Sequence, residues 1–261
     1  MPIAHTDGIA QVSARLENQV STWFAMGFTD PVNYQAGGRY IPTLSVTDSL
    51  KHSRLIDAEV SLNAYGNASF SGSSYDDGSA RIKPYRAWLR YSTPRLELRA
   101  GLQKINFGSA TILRPLMWFD KMDFRDPLQL TDGVYAFLGR YYFKNNANIW
   151  LWALYGNESV KGWELLPTRK RTPEFGGRIQ VPLGPGEIAL SAHHRQSVFT
   201  PDTVAPVITS VEHIPENRVS LDGRWDLGVG FWFEAVLWHN ASQYKVLPEW
   251  ETFLNVGSDY T

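Results

Sequence analysis

The sequence predicts an all-β protein, an up-and-down antiparallel transmembrane β-barrel in which about 12 strands are visible. Polar and apolar residues alternate strictly in several segments, most clearly in residues 218–226 and 187–195. A period of two places the two kinds of side chain on opposite faces of a β-strand. Short and long connections also alternate from residue 70 onward, which is typical of up-and-down membrane barrels rather than of Greek-key sandwiches.

The strands and their connections can be placed along the whole chain. We predict strands at residues 10–26, 38–47, 54–70, 80–92, 95–107, 133–144, 147–157, 173–182, 186–198, 216–226, 229–240 and 250–260. Tight turns are predicted at Thr93-Pro94, Asn145-Asn146, Gly184-Pro185 and Leu227-Gly228. Longer connections are predicted at 71–79, 108–132, 158–172, 199–215 and 241–249. No change in composition divides the chain, so residues 1–261 are predicted to form a single domain.

Composition and the two chain ends narrow the class of protein. A net charge of −1 provides no basic surface for nucleic acid, and the absence of cysteine excludes a disulfide framework. No apolar run reaches the roughly 18 residues that a membrane helix requires. Residues 1–10 lack the features of a signal peptide, so the chain is either cytoplasmic or a mature form. The chain ends on Thr261 rather than on an aromatic residue, and we therefore expect a missing C-terminal part or a larger barrel.

Three observations favour a lipid-facing apolar side over a soluble core. Arginines lie in the middle of the predicted strands, where their planar groups suit crowded pairing with carboxylates. Aromatic residues cluster near strand ends, as in the interfacial girdles of membrane barrels. No predicted helix is available to cover the sheet, so about 12 strands need closure or a second layer to protect their edges.

Two predicted strands contradict this alternation. Residues 147–157 and 229–240 carry apolar side chains on both faces, and four tryptophans contribute to them. A membrane barrel requires these tryptophans to point inward or to contact a partner or plug, whereas a sandwich core explains them more simply. The four residues are Trp150, Trp152, Trp232 and Trp238.

One segment resembles a known family. Residues 98–108, with the sequence Leu-Arg-Ala-Gly-Leu-Gln-Lys-Ile-Asn-Phe-Gly, are similar to a strand end of porin-like outer-membrane barrels, including alginate-export-type and phosphate-selective-porin-like proteins. In those proteins the strand also leads into a long loop that contains Pro, Asp and Arg. With this loop and the strand that follows it, the resemblance extends from Leu98 to Phe143, about a fifth of the chain by motif. It implies a channel, or an exporter of anionic or carbohydrate material.

The long connection at residues 108–132 is too apolar to remain in water and too hydrophobic for disorder. We expect it to form either a constriction in the lumen or a cap on the rim, with an interaction site as a third alternative. In a constriction it would offer the pore six residues. They are Arg114, Trp118, Asp120, Asp123, Arg125 and Asp126.

Catalytic and metal-binding patterns are weak. The sequence has no cysteine nucleophile, no Gly-x-Ser-x-Gly, no phosphate-binding loop and no dinucleotide fingerprint. His193 and His194 are adjacent on a strand and point to opposite faces, so they cannot bind one ion together. We predict no catalytic residue, no metal and no cofactor, and we predict that the protein is not an enzyme.

The leading functional prediction is a channel in the bacterial outer membrane that passes small polar or anionic solutes, or carbohydrate. Its partners would be the lipid bilayer and the solute, with a homo-oligomer or an envelope protein as further candidates and nucleic acid excluded. The alternatives are a non-conducting structural barrel of an envelope complex and a soluble carbohydrate-binding β-sandwich. The predicted pore-lining residues are Arg86, Arg90, Glu97, Arg99, Arg140, Arg178, Arg195, Arg218, Asp222 and Arg224.

Overall fold

The structure, a computed structural model, describes residues 11–28, 31–122, 126, 128, 130–200, 212–243 and 245–260. Across these ranges every regular element is a β-strand, and none of them contains a helix with the length and hydropathy needed to cross a membrane. The strands are β1 (Gln11–Gly27), β2 (Asn33–Leu50), β3 (Arg54–Ser71), β4 (Ser74–Ser92), β5 (Leu96–Gln103), β6 (Lys121–Met122), β7 (Thr131–Asp132), β8 (Val134–Tyr142), β9 (Asn148–Leu154), β10 (Glu174–Leu183), β11 (Gly186–Phe199), β12 (Glu212–Asp226), β13 (Gly230–Asn240) and β14 (Trp250–Asp259).

Twelve of these strands form one sheet, and their order in the sheet is their order along the chain. The two short strands β6 and β7 pair with each other in a separate ribbon. The prediction of an all-β, up-and-down antiparallel fold is confirmed, because each strand follows its neighbour without the crossover of a Greek key. Closure of the sheet and its insertion into a membrane stay predictions.

All 12 predicted strands occur in the sheet, but several boundaries were wrong, since β2 begins at Asn33 instead of residue 38 and β12 begins at Glu212 instead of residue 216. Two further corrections concern the connections. The predicted long connection at 71–79 is a short turn, because β4 already begins at Ser74. Hydrogen bonds from Ser79 to Asn67 and from Ser69 to the Asp77 carbonyl, rather than burial, stabilise this exposed extension. The other correction concerns β5, which ends at Gln103 instead of residue 107 because the following residues leave the sheet.

The chain divides into two compact units. The first comprises Met1–Tyr91 and Phe124–Gln129, and the second comprises Ser92–Asp123 and Leu130–Thr261. The prediction of one domain remains untested by this division.

In the first unit, polar side chains are buried and aliphatic side chains are exposed. Buried polar residues lie on one face of β2, β3 and β4, namely Arg39, Asp57, Ser61, Asn63 and Arg86. The opposite face exposes large aliphatic side chains, among them Leu44, Val60, Leu62 and Leu89. This arrangement is the reverse of the usual one in a soluble domain, where charged residues are almost never fully buried unless they are paired.

The second unit has the same inverted arrangement, with a stronger contrast between its faces. On β11, Leu190 is 52% exposed whereas Arg195 is 1% exposed. We call the two sides the apolar face, represented by Leu190, Val219 and Leu237, and the covered face, represented by Ser191 and Arg195. The period of two in the sequence determines which residues share a face, because successive side chains of a strand point to opposite sides.

Candidate functional site

The covered face of the second unit brings together residues from three consecutive strands. His193 on β11 lies opposite Arg218 on β12, which lies opposite Trp238 on β13. One step along, Arg195 lies opposite Glu216, and all five of these side chains are buried. Two connections cover this face, and we define them as loop A, residues 104–120, and loop B, residues 155–173.

Loop A buries an aromatic cluster against the covered face. Trp118 is fully buried, and the Phe107 ring packs edge-on against it at 5.4 Å and stacks on Trp152 at 5.6 Å. Phe119 packs against Trp152 and against the imidazole of His193. The loop therefore forms the hydrophobic core of this unit together with the covered face.

Three of the four tryptophans on the strands with two apolar faces have a direct explanation, whereas the fourth, Trp232, lies opposite Gly257 of β14. Trp152 and Trp238 belong to the same buried cluster as loop A, and Trp150 packs against it. The indole of Trp152 also donates a hydrogen bond of 3.1 Å to Nδ1 of His193. These side chains point to the covered face and contact loop A. A strand with apolar side chains on both faces therefore does not need a second sheet to cover it.

Glu234 on β13 fixes the start of loop A. One of its carboxylate oxygens accepts hydrogen bonds from the backbone N–H groups of Ser109 and Ala110, at 2.7 and 2.8 Å. Gly108 precedes these residues with a φ of 91°, and a Cβ atom there would lie 2.5 Å from the Glu234 carboxylate. Glycine is therefore needed where the backbone comes this close to the acidic side chain.

Loop B buries charged and polar side chains instead of apolar ones. Lys161, Glu164 and Thr168 are buried, whereas Trp163 is 37% and Leu165 is 68% exposed. The Lys161 ammonium lies 2.9 Å from Glu174 on β10 and donates a hydrogen bond to the Thr168 hydroxyl. The loop thus contacts the covered face through ionic and polar groups.

The carboxylate of Glu164 completes this buried ionic network. It lies 2.8 Å from Arg218 and 3.1 Å from Arg195. Both arginines also bind Glu216, with Nε donating at 2.6 Å from Arg218 and 2.9 Å from Arg195. Every charge in the network has an opposite charge beside it, which burial of charges requires.

A second ion pair lies beside a small crevice. Arg178 on β10 donates two hydrogen bonds of 2.7 Å to the two carboxylate oxygens of Asp222 on β12, and a third to Ser191. The crevice has a volume of about 180 Å³, and Phe107, Trp150, Arg178, Glu187 and Arg224 are among its lining residues. Some polar space therefore remains on the covered face beside loop A.

Other predicted pore-lining residues form separate groups. Glu97 lies 3.0 Å from Arg99 and 3.6 Å from Arg140, so two arginines share one carboxylate. The Arg140 guanidinium also lies over the Trp150 ring at 3.9 Å. Arg224 is half-exposed and lies 3.4 Å from Asp259.

In the first unit, Arg90 binds Asp57 through two nitrogens, at 2.7 and 2.9 Å, and Arg86 lies 4.0 Å from the Tyr85 ring centroid. Asp126, predicted as part of the constriction, binds Arg39 of this same unit at 2.6 Å.

The remaining residues of the predicted constriction have different positions. Arg114 and Asp120 form an ion pair of 3.1 Å within loop A, and Trp118 is in the aromatic cluster. Asp123 and Arg125 lie outside the described residues.

Three residues of the ionic network were not predicted from the sequence. Lys161 had been placed in a loop, and Glu164 and Glu174 had no assigned role. One sequence signal is that Lys161 and Glu164 are three residues apart in a predicted connection that also contains Trp163 and two leucines. No group of three or more potential metal ligands occurs among the residues that the structure describes.

Comparison with protein-family models, with curated proteins and with solved structures gave no match to this chain. The similarity of residues 98–108 to porin-like barrels therefore rests on the sequence motif alone. Function has to be argued from the two faces of the sheet and from the loops that cover one of them.

Proposed function

We propose that the chain forms an outer-membrane β-barrel that passes small polar or anionic solutes along the covered face of the second unit. The observation that supports this most directly is the inverted burial, with aliphatic side chains exposed and arginine–carboxylate pairs buried. Lipid-facing aliphatic residues and a polar interior are the signature of a membrane barrel. Loops A and B narrow the passage, so its solutes must be small.

The exposed apolar surface would be unfavourable in water. Each Å² of apolar surface left in water costs about 25 cal/mol relative to burial. Soluble monomers rarely expose contiguous apolar patches of more than a few hundred Å². Exposed aliphatic residues occur on neighbouring strands, including Leu151, Ile179, Leu190, Leu221, Leu237 and Leu254. A lipid environment removes this cost.

Selectivity would arise from charges along the passage. Two arginines, Arg99 and Arg140, lie beside the carboxylate of Glu97, at 3.0 and 3.6 Å. Arg224 is half-exposed beside the crevice. These arginines favour anions over cations, although most charges on the covered face are paired.

A second candidate function is a non-conducting structural barrel in an envelope complex. The aromatic cluster of loop A and the ionic network of loop B favour it, because both fill space on the covered face without leaving a charge unpaired. The channel is expected to conduct ions in a planar bilayer, and the structural barrel is not.

The first experiment is expression behind a signal peptide, followed by membrane fractionation and electrophoresis of boiled and unboiled samples. Recovery in the outer membrane with heat-dependent mobility is the expected result. A protein that stays soluble without detergent would contradict the membrane proposal and favour a soluble carbohydrate-binding protein.

Planar-bilayer recordings of the purified protein then test transport. We expect ion conductance with a preference for anions, and we expect the Arg99→Ala/Arg140→Ala double variant to lose part of that preference. A matched control is Arg95→Ala, which removes an exposed arginine near the tight turn after β4. Unchanged ion selectivity in the double variant would remove these arginines from the pore.

A further inference from the structure

Loop B buries charged and polar side chains and exposes apolar ones, which is the reverse of the arrangement in an ordinary surface loop. It buries Lys161, Glu164 and Thr168 and exposes Val160, Trp163 and Leu165. A loop held by hydrophobic packing would have the opposite arrangement, because burial of apolar surface is the usual driving force. The contacts that place loop B on the covered face are therefore ionic and polar.

Loop B takes part in these ionic contacts with charges of both signs. Loop B contributes one cation, Lys161, which binds Glu174, and one anion, Glu164, which binds Arg195 and Arg218. Lys161 and Glu164 also lie 3.3 Å from each other. The two side chains thus reach opposite charges on three different strands, β10, β11 and β12. These two buried side chains add one charge of each sign, so together they leave the net charge of the covered face unchanged.

Loop B also contacts loop A directly. The N–H group of Gly162 donates a hydrogen bond of 2.8 Å to the Asp120 carbonyl, and the Trp163 indole donates one of 2.8 Å to the Arg114 carbonyl. A Cβ atom at Gly162 would collide with the Met117 carbonyl oxygen, so the two loops are in close backbone contact. The position of loop B therefore affects the surface that loop A presents.

We propose that loop B is a second constriction element of the passage, and that Lys161 and Glu164 are the residues that position it. This inference rests on the proposed channel function. Breaking the ion pairs of either residue releases the loop from the covered face and widens the passage.

The physical basis is the behaviour of buried charges. Removing one partner of a buried ion pair leaves the other charge unpaired at a site with little water, which is strongly unfavourable. Neutralising Glu164 would leave Arg195 and Arg218 with only Glu216 between them. The covered face can regain hydration for these arginines only if loop B moves away.

The test uses Glu164→Gln, with Glu158→Gln as the matched control. Glu158 lies on the same loop, is exposed, and lies at the distance limit of an ion pair, 4.0 Å from Lys170. We expect a larger single-channel conductance in E164Q and an unchanged conductance in E158Q. Lys161→Arg, which keeps the charge, should remain closer to the wild-type conductance than Lys161→Met.

A second readout does not depend on conductance. The chain has no cysteine, so a single Thr168→Cys substitution places one thiol at a buried position of loop B. In this background, E164Q should accelerate modification by a membrane-impermeant thiol reagent, and E158Q should not. Equal modification rates in the two variants would overturn the positioning role.

A disulfide between loop B and β11 provides a third test. Thr168 pairs with Ser197 of β11 in an isolated antiparallel bridge, flanked by hydrogen bonds between residues 169 and 196 and between residues 198 and 167. Opposed Cα atoms at such a pair are about 4.5 Å apart, which permits a disulfide. Oxidised Thr168→Cys/Ser197→Cys should suppress the conductance increase of E164Q, and reduction should restore it.

The outcomes separate this inference from the proposed function. Faster thiol modification in E164Q without any conductance would support the positioning role and contradict the channel. Conductance that is equal in wild type, E164Q and the oxidised double-cysteine variant would keep the channel and contradict the role of loop B.

Discussion

Loops A and B cover the same face of the second unit by opposite physical means. Loop A buries Trp118 and Phe119 in an aromatic cluster, whereas loop B buries Lys161 and Glu164 in an ionic network. Apolar packing tolerates small displacements, because it is non-directional and roughly proportional to buried area. Buried ion pairs do not tolerate such displacements, because each charge needs its partner at short range. The comparison predicts a permanently inserted loop A and a releasable loop B.

The largest loss of stability is expected from a substitution in loop A. Trp118→Ala removes the fully buried indole that packs against Phe107 and Phe119, and we expect a loss of about 3–5 kcal/mol in the free energy of unfolding. Denaturant titration in detergent micelles provides the measurement. Trp163→Ala is the matched control on loop B, and its cost should be about 1 kcal/mol or less because it removes one hydrogen bond from a partly exposed ring. Similar costs for the two variants would contradict the assignment of apolar packing to loop A.

The corresponding change on loop B is Glu164→Gln. It leaves two buried arginines with one carboxylate fewer, and we expect a loss of about 3 kcal/mol if the loop stays in place. Release of the loop would reduce this cost, so faster proteolysis within residues 155–173 should accompany a smaller loss. The double variant with Arg218→Met should cost less than the sum of the two single changes, because the sites are coupled. Additive costs would contradict a shared network.

A smaller loss of stability is expected from changes at Glu234, which contacts the first part of loop A. Glu234→Gln keeps a side-chain carbonyl that can accept from the Ser109 and Ala110 N–H groups but removes the negative charge. We expect a loss of about 1 kcal/mol in stability. Glu234→Ala should cost more, because both backbone donors then lack an acceptor. Amide hydrogen exchange of Ser109 and Ala110 checks this directly, and unchanged protection in E234A would show that the carboxylate does not fix loop A.

The smallest effect on stability is expected at Arg224. This residue is half-exposed and forms only a long ion pair with Asp259, so Arg224→Ala should change the free energy of unfolding by less than about 1 kcal/mol. Because it lines the crevice, the same change should lower anion preference in bilayer recordings. Unaltered selectivity together with unaltered stability would exclude Arg224 from the solute path.

The general fold could be predicted because it depends on local patterns. The period of two identified the 12 strands of the sheet and the members of each face, including Arg178, Arg195 and Arg218. The wrong boundary before β4 has a local cause as well. Its first residues, from Ser74 to Ser79, are mostly polar and include a glycine, so they resemble a loop although they belong to the strand and form hydrogen bonds through side chains with β3.

The candidate site was predictable only in part. Strand residues such as Arg195 could be assigned to a face, because their direction follows from their position in the strand. Loop residues have no such rule, so the sequence places Lys161 only within the predicted connection at 158–172. Its actual partner, Glu174, is 13 residues away in sequence and begins the next strand.

The sequence by itself determined the strands, their up-and-down order and the separation of polar from apolar side chains, since each of these follows from short-range periodicity and turn residues. Only the tertiary structure decided that loop A packs its aromatic residues against Trp152 and His193, and that loop B buries a lysine and a glutamate. The physical reason is that these contacts join residues far apart in sequence, and charge pairing outweighs hydrophobicity in loop B only because oppositely charged strand residues are already in place.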